Sequence, residues 1–458
     1  MRNNHTRDLT VGSPMKLTIG FVTPLLLGML FQQFYNMVDT MVVGRFLGVD
    51  ALAGVGSTGS VSFMLLGFCM GVCSGFVIPV AQKFGSHDYA GLRRVVGSMI
   101  WLGIAIAAAM TVATTVLCRN ILIWMKNPQD TFHYAFDYIF IIFLGIPASI
   151  LYNLLAGIIR SLGDSRTPLL FLIFSSLLNV VLDLFLILVI KMGVAGAAIA
   201  TVLSQLISGI LCLIFMIKRF PILHLSRDDL KPRAVECRLL LSMGLPMGLQ
   251  YSITAIGSIL LQTAVNDLGP TAMAAMTAAN KLSLFLVVPL DAIGTAAATY
   301  VGQNVGAGKL ERIHAGTKAS AILGIVYSVV IFLLVCFFGG IILSLFVDPG
   351  ETAIIAMGHR FLTTVSAFYI TLLFVNLLRF SIQGMGFSNY AMIAGVMEMI
   401  ARGTLALLLV PKFGFDAVCF ASPAAWVMAD AFLIPMYFYG MKRLGYKKVA
   451  VASGQNLW

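Results

Sequence analysis

Polar side chains recur inside segments that are otherwise apolar enough to cross a membrane. In "PLLLGMLFQQFYNMVDTMVVG", Gln32, Asn36 and Asp39 follow one another at intervals of four and three residues. On a helix this spacing places the three side chains on one stripe. Because a carboxylate is costly in hydrocarbon, we expect the stripe to face the protein interior or water.

A second polar group occurs in "LLNVVLDLFLILVIK", where Asn179 and Asp183 are four residues apart and share a helix face. Asp39 and Asp183 lie at similar depths in their segments, and Thr201 lies at a similar depth in the segment that follows. Two nearby carboxyl groups in a site of low dielectric cannot both ionise cheaply. We therefore predict that one of them binds H⁺, or that the pair binds Na⁺ as a metal ion, with amide and hydroxyl oxygens alongside. The alternative is that each Asp hydrogen-bonds to a neighbouring helix for structure alone.

Other ionisable residues lie within apolar segments of the C-terminal half of the chain. Glu398 and Arg402 are also four residues apart, so they could form a structural ion pair or contact a substrate. For Asp291 and Asp430 we favour a structural role. The residues predicted to line a cavity or contact substrate are Gln32, Asn36, Asn153, Glu398 and Arg402.

The segments that carry these residues predict an all-α polytopic membrane protein. The chain has 458 residues, of which 59% are hydrophobic and 11% charged, and its mean hydropathy is +0.95. These values exclude an ordinary soluble protein and a disordered one. Apolar segments of about 20 residues recur along the chain, which favours helices over the shorter strands of a membrane barrel. The predicted spans are 16–43, 53–80, 95–118, 135–159, 168–190, 193–217, 239–265, 277–301, 317–347, 354–379, 390–411 and 414–440.

Basic residues are distributed unevenly between the two faces of these spans. Most of the 30 Lys and Arg residues fall in the two tails and in the loops on the same side as the tails. The positive-inside rule therefore predicts that both termini are cytoplasmic, in a multi-pass protein of the cell (inner or plasma) membrane whose first span is retained. A basic surface that faces anionic lipid also explains the net charge of +11, so nucleic acid is not expected as a partner.

The sequence offers little support for an enzyme. "GQNVGAGKLER" resembles a phosphate-binding loop, but Leu310 follows Lys309 where such a loop needs Ser or Thr. The HExxH, serine-elbow and CxxC motifs are missing, and the seven cysteines are scattered as packing residues are. We therefore expect a protein that is not an enzyme and has no cofactor.

The chain repeats itself at a fixed offset. "LGVDALAG" at position 47 matches "LGPTAMAA" at position 268, and at the same offset "KMGVAGAAIA" at position 191 matches "KFGFDAVCFA" at position 412. Further matches, at nearly the same offset, pair Pro24 with Pro246 and "RSLGDSRTP" at position 160 with "QGMGFSNYA" at position 383. The sequence thus predicts two pseudo-symmetric six-helix lobes around a central cavity, an architecture of secondary transporters that work by alternating access. The predicted divisions are an N-terminal lobe at 14–217, a cytoplasmic linker at 218–238, a C-terminal lobe at 239–440 and a cytoplasmic tail at 441–458.

These motifs resemble the multidrug and toxic compound extrusion (MATE) transporters over roughly residues 14 to 440. The resemblance rests on Pro24, Gln32 and Asp39 at their spacing and on "LGVDALAG", "VAQKFG", "RSLGDSRTP", "LNVVLD" and "GVAGAAIATVLSQ". It implies a multidrug antiporter that exports mostly cationic, amphipathic compounds in exchange for H⁺ or Na⁺. It also implies that the first helix bends at Pro24 and that Gln32 lines the cavity. The cation site that it implies consists of Asp39, Asn179, Asp183 and Thr201.

One position departs from the family pattern. Some sodium-coupled members carry Glu eight residues after the proline of the seventh helix, whereas Thr254 occupies that position after Pro246 here. We therefore expect coupling through the N-terminal lobe, with H⁺ favoured over Na⁺, in a protein that works as a monomer on drug-like molecules. Two alternatives are a flippase of lipid-linked oligosaccharide or cell-wall precursors from the same superfamily, and a channel or receptor.

Overall fold

A computed structural model of the chain describes residues 6–125, 127–344, 347–348 and 350–452, and it is built from helices. The end of the predicted tail, 453–458, lies outside these ranges. In chain order the helices are α1 (Pro14–Leu47), α2 (Val49–Ser57), α3 (Gly59–Gly85), α4 (Tyr89–Trp124), α5 (Gln129–Leu144), α6 (Ile146–Ser161), α7 (Arg166–Leu184), α8 (Val194–Arg219), α9 (Ala234–Asn266), α10 (Pro270–Gly306), α11 (Leu310–Leu343), α12 (Thr352–Ala367), α13 (Tyr369–Gly384), α14 (Ser388–Thr404), α15 (Val410–Phe413) and α16 (Phe415–Ala452). Short π-helical turns at Phe185–Val189 and Leu405–Leu409 follow α7 and α14, and a 3₁₀ turn occupies Pro221–Leu223.

The predicted all-helical membrane fold is confirmed. By length and composition, ten of the described helical segments can each cross a membrane, and α5 with α6 and α12 with α13 form two further spans that are bent by 47° and 50°. Counting each bent pair once gives the twelve predicted spans. The first bend has a local cause, because Pro147 lacks the N–H that would continue the hydrogen bonding of α5 into α6.

The second predicted span, 53–80, is wrong at its start. The helix breaks at Thr58, so that α2 is separate and the long helix α3 begins only at Gly59. Gly48 precedes α2 with φ at 90°, a conformation that favours glycine. The "LGVDALAG" motif is therefore a short helix entered through a glycine turn, not the beginning of a span.

The backbone repeats in the way that the sequence does. Gly48 and Gly269, which the matched "LG" motifs align, have φ of 90° and 93°. Gly193 and Gly414, aligned at the same offset, have φ of 60° and 59°. Each of these glycines directly precedes a helix, so the tandem repeat extends to the turns that only glycine adopts without strain.

The described chain divides into two compact units. The first comprises Met1–Asp8 and Thr23–Gly248, and the second comprises Leu9–Val22 and Leu249–Trp458. The division cuts α1 just before Pro24 and α9 just after Pro246, and both helices run through their prolines. The predicted lobe boundaries themselves stay a prediction.

Within the first unit, the segment before α9 packs against the start of α4. The indole nitrogen of Trp101 donates to the backbone oxygen of Leu230 at 2.8 Å, and Arg93 pairs with Asp229 at 3.4 Å. The turn before α4 is fixed by Asp88, whose carboxylate accepts from Lys83 and from the backbone N–H of Gly91. These two hydrogen bonds hold the pKa of Asp88 below its usual value.

Within the second unit, the loop that resembles a phosphate-binding sequence holds the chain's own N-terminal segment. The ammonium of Lys309 donates to the backbone oxygen of Thr10 at 3.0 Å, and Arg312 donates to that of Gly12 at 2.9 Å. Gln303 accepts the backbone N–H of Leu9 at 2.9 Å. The donors of this loop are therefore used in fixing the segment before α1.

Candidate functional site

The first unit brings together two carboxyl groups that are far apart in sequence. Asp39 on α1 and Asp183 at the end of α7 lie within hydrogen-bonding distance of each other. Their side chains are buried, at 9% and 0% exposure, and the Oδ1 atom of each has no hydrogen-bond partner among the described residues. Since buried polar atoms are normally hydrogen-bonded, these two oxygens are available to a bound ion or proton.

Asn179 and Thr201 complete this cluster. In the amide orientation that satisfies its neighbours, Asn179 donates to Oδ2 of Asp183 at 3.0 Å and accepts from the backbone N–H of Thr201 at 3.1 Å. Helices α1, α7 and α8 thus each supply part of a cluster with carboxyl, amide and hydroxyl oxygens. The π-helical turn Phe185–Val189 begins two residues after Asp183, and π turns of this kind are frequent at functional sites.

Two tyrosines that the sequence analysis did not single out adjoin the cluster. The hydroxyl of Tyr35 donates to Oγ1 of Thr201 at 3.4 Å, and Tyr138 on α5 lies close enough to interact with both carboxyl groups. Tyr35 could have been found from the sequence, because it lies four residues before Asp39 and shares its helix face. Tyr138 offered no such signal, because only the packing of α5 brings it there.

Buried apolar side chains lie one helical turn from the residues of the cluster. Val43 on α1, Ile187 in the π turn and Ala197 on α8 form part of one buried group, against which Tyr138 also packs. This apolar layer keeps the local dielectric low, so that charge on the carboxyl pair is costly unless an ion or proton balances it.

The predicted cavity residues of the first unit do not join this cluster. Gln32 and Asn36 are exposed on α1, the helix that also carries the buried Asp39. Asn153 is half-buried on α6 and donates to the backbone oxygen of Ser149, in the preceding turn, at 2.8 Å. Their roles in contacting substrate stay predictions.

In the second unit, Glu398 has a closer partner than the predicted Arg402. Glu398 forms its close ion pair with Arg379 on α13, whereas its nearest contact with Arg402 is 3.9 Å. The four-residue spacing allows an ion pair along α14, but the neighbouring helix presents a guanidinium at shorter range. All three residues are at most 6% exposed. No pattern in the sequence marks Arg379, which lies at the end of a predicted span.

Asp291 and Asp430 also lie near Arg379. Asn376 donates to Oδ1 of Asp291 at 2.7 Å, and both Asp291 and Asp430 interact electrostatically with Arg379. Arg379 is thus the charge that the buried carboxylates of α10, α14 and α16 share, and this arrangement is consistent with a structural role for Asp291 and Asp430.

Comparison with known proteins agrees with the fold and the repeat. The MatE family model matches the chain twice, over residues 24–185 and 246–408. The two matches begin at the proline of α1 and at the proline of α9, the same two prolines that the internal repeat aligns. They correspond to the two copies that the sequence repeat predicts.

Relatives and solved structures match most of the chain. "Probable multidrug resistance protein YpnP" of Bacillus subtilis (strain 168) is 30% identical over 79% of this chain and 80% of its own length. "Probable multidrug resistance protein YoeA" of the same organism is 31% identical over 75% of both chains. An outward-facing structure of a multidrug resistance MATE family transporter matches in fold with a TM-score of 0.88 at 21% identity, covering 98% of this chain and 100% of the other. The chain therefore belongs to the MATE family of multidrug efflux transporters, which are multi-span membrane proteins that act on small molecules.

Proposed function

We propose that this protein is a secondary active antiporter that exports cationic or amphipathic small molecules in exchange for H⁺ or Na⁺. The observation that carries the proposal is the closely spaced pair of buried carboxyl groups, Asp39 and Asp183, in an apolar part of the first unit. A buried carboxyl pair changes its charge when an ion binds or leaves, which is what coupling requires.

H⁺ is the favoured coupling ion. Two carboxyl groups this close in an apolar site repel each other when both are charged, and a proton on one of them removes that repulsion, which supports H⁺. Na⁺ is the second candidate, because the free Oδ1 atoms and the hydroxyl of Thr201 are hard oxygen ligands.

The transport cycle then follows alternating access. An ion arriving from outside binds at Asp39 or Asp183, α1 rearranges around Pro24, and bound substrate is released outside; return of the ion inward resets the protein. The boundary between the compact units falls at Thr23, which supports a hinge at Pro24. A membrane potential contributes about 2.3 kcal/mol per charge per 100 mV if net charge moves with the ion.

The protein would act as a monomer in the cell membrane, with both termini in the cytoplasm and without a bound cofactor. The uneven distribution of Lys and Arg supports this orientation. Labelling of single cysteines placed in the tails, with a reagent that cannot cross the membrane, tests it: reaction from outside intact cells would contradict the orientation.

Drug resistance in cells without their own efflux pumps tests the antiporter directly. Cells that express the native chain should survive higher concentrations of cationic dyes than cells that express Asp39→Asn at equal membrane levels. Equal resistance from both chains would overturn the role of Asp39. Dye export against its gradient would also exclude a channel, and its absence together with flipping of a lipid-linked precursor would favour the flippase alternative.

A further inference from the structure

Arg402 is a buried cation with weak partners. It is 6% exposed, yet its contacts are a hydrogen bond of 3.5 Å to the hydroxyl of Ser258 and the 3.9 Å approach to Glu398. Its Nε atom has no hydrogen-bond partner among the described residues. A guanidinium has five donors, and leaving them unused in a buried place costs free energy.

The carboxylate nearest to Arg402 is already engaged. Glu398 pairs closely with Arg379, which also interacts with Asp291 and Asp430. Among the described residues, no carboxylate other than Glu398 lies within salt-bridge distance of Arg402. One positive charge is therefore left on α14 without a close counter-charge.

Arg402 has a counterpart in the first repeat of the sequence. Arg402 aligns with Asn179 at the offset that relates "RSLGDSRTP" to "QGMGFSNYA". Its partner Ser258 aligns with Asn36 at the offset that relates Pro24 to Pro246. Both α7 and α14 continue into a π-helical turn shortly afterwards. Arg402 thus occupies, in the second repeat, the place that Asn179 of the carboxyl cluster occupies in the first.

The guanidinium is within reach of an exposed helix face. Ser258, which accepts from Arg402, is exposed on α9, and Thr254 one turn earlier is half-buried. Between them Gly257 faces the guanidinium, since an added Cβ there would lie 3.4 Å from its Nη1 atom. The glycine therefore lets the backbone of α9 approach the charged group closely.

We propose that Arg402 binds the anionic group, a carboxylate or a phosphate, of a compound that enters beside α9. A planar guanidinium suits such groups because two of its N–H donors can bond to two oxygens at once. The second repeat is then the charge-reversed counterpart of the first: one binds the coupling cation and the other an acid group. This inference rests on the proposed antiport function, and it extends the substrates of the protein to amphipathic compounds that carry an acid group.

Binding of a matched pair of dyes tests the proposal without transport. The probes are a rhodamine with a free carboxylate and its methyl ester, titrated into purified full-length protein in uncharged detergent with fluorescence anisotropy as the readout. Arg402→Gln should weaken binding of the acid about tenfold or more, as expected for a lost charged hydrogen bond, and leave binding of the ester within about twofold. Arg402→Lys keeps the charge but lacks the planar pair of N–H donors, so its affinity for the acid should lie between those of the native chain and Arg402→Gln. Because Arg379 still pairs with Glu398, the variants leave that carboxylate neutralised.

An arginine outside the proposed site supplies the control variant. Arg360→Gln removes an exposed arginine that pairs with Asp416 and should change neither titration. Equal loss of both dyes in Arg402→Gln, or no binding of the acid by the native chain, would overturn the anion site. Drug resistance that depends on Asp39 would remain in that case, so the antiport proposal would stand by itself.

The same titration identifies the source of the anion. If added phosphatidylglycerol competes with the acid dye for the native chain, but phosphatidylcholine does not, the site takes a lipid phosphate as well. If neither lipid competes, the acid group belongs to a soluble substrate. Either result supports the anion site provided that it requires Arg402.

Discussion

Asp39 and Asp183, on α1 and α7 of the first unit, place two buried carboxyl groups within hydrogen-bonding distance of each other. Since the two act as one site, we expect Asp183→Asn to stop dye efflux as completely as Asp39→Asn does. Efflux is measured in cells at matched expression. Asp137→Asn, an exposed carboxylate on α5, is the control and should be active. Substantial efflux by Asp183→Asn alone would separate the two residues.

Thr201→Val removes a hydroxyl from the cluster while keeping its shape. Tyr35 then loses its acceptor, and the ion loses one oxygen, so the half-saturating ion concentration should rise by about two- to tenfold, the effect of one neutral hydrogen bond. Initial rates of dye transport at varied ion concentration measure it. Ser176→Ala is the matched control, because that hydroxyl bonds only to its own helix at Leu172. An unchanged ion dependence in Thr201→Val would remove the hydroxyl from the site.

The ion pair between Arg379 and Glu398 should be needed for stability. Replacing either partner alone, as in Arg379→Met or Glu398→Gln, leaves a buried charge uncompensated and should destabilise the protein by about 3–5 kcal/mol. The double variant should regain part of this loss, because it leaves neither charge of the pair. Thermal unfolding of the purified protein measures it. Additive losses in the double variant would mean that the two residues do not stabilise each other.

Pro24→Ala tests the hinge in α1. Alanine can continue the helix and supply the missing N–H, so the variant should fold with unchanged or higher thermal stability but transport more slowly. Pro435→Ala, also inside a long helix but away from the unit boundaries, is the control. A transport rate equal to that of the native chain would argue against a hinge at this position.

Asp88, which lies outside the membrane spans, should contribute to stability in a pH-dependent way. Because hydrogen bonds from Lys83 and Gly91 lower its pKa in the folded protein, its contribution is present above the unfolded pKa of about 3.9 and is lost as pH falls through the lower folded value. Asp88→Ala should cost about 1 kcal/mol at neutral pH through loss of the helix cap. The side chain is 37% exposed, so its charge adds little beyond the cap. The difference between the native and variant unfolding temperatures should narrow at acidic pH, because protonation weakens both hydrogen bonds of the carboxylate; an unchanged difference would contradict the assignment.

The sequence was sufficient for features that follow from hydropathy and helical spacing. Twelve spans, the repeat and the likeness to MATE transporters follow from such patterns, and four site residues were named because spacing places polar groups at similar depth. The bend before Pro147 could also have been expected from the missing N–H.

Contacts between helices distant in sequence could not be predicted in this way. Arg379 pairs with Glu398 because α13 packs beside α14, whereas spacing along one helix suggested Arg402 instead. Tyr138 reaches the carboxyl cluster only through the packing of α5. In both cases tertiary packing decides which of several polar groups meet.

Dye transport by proteoliposomes under separately imposed H⁺ and Na⁺ gradients tests the central claim most directly. The native chain should move dye against its gradient when the ion gradient is imposed, with H⁺ expected to drive it, while Asp39→Asn and Asp183→Asn should bind dye but not couple its movement to either ion. Gradient-driven transport that persists in both variants would contradict coupling through this carboxyl pair.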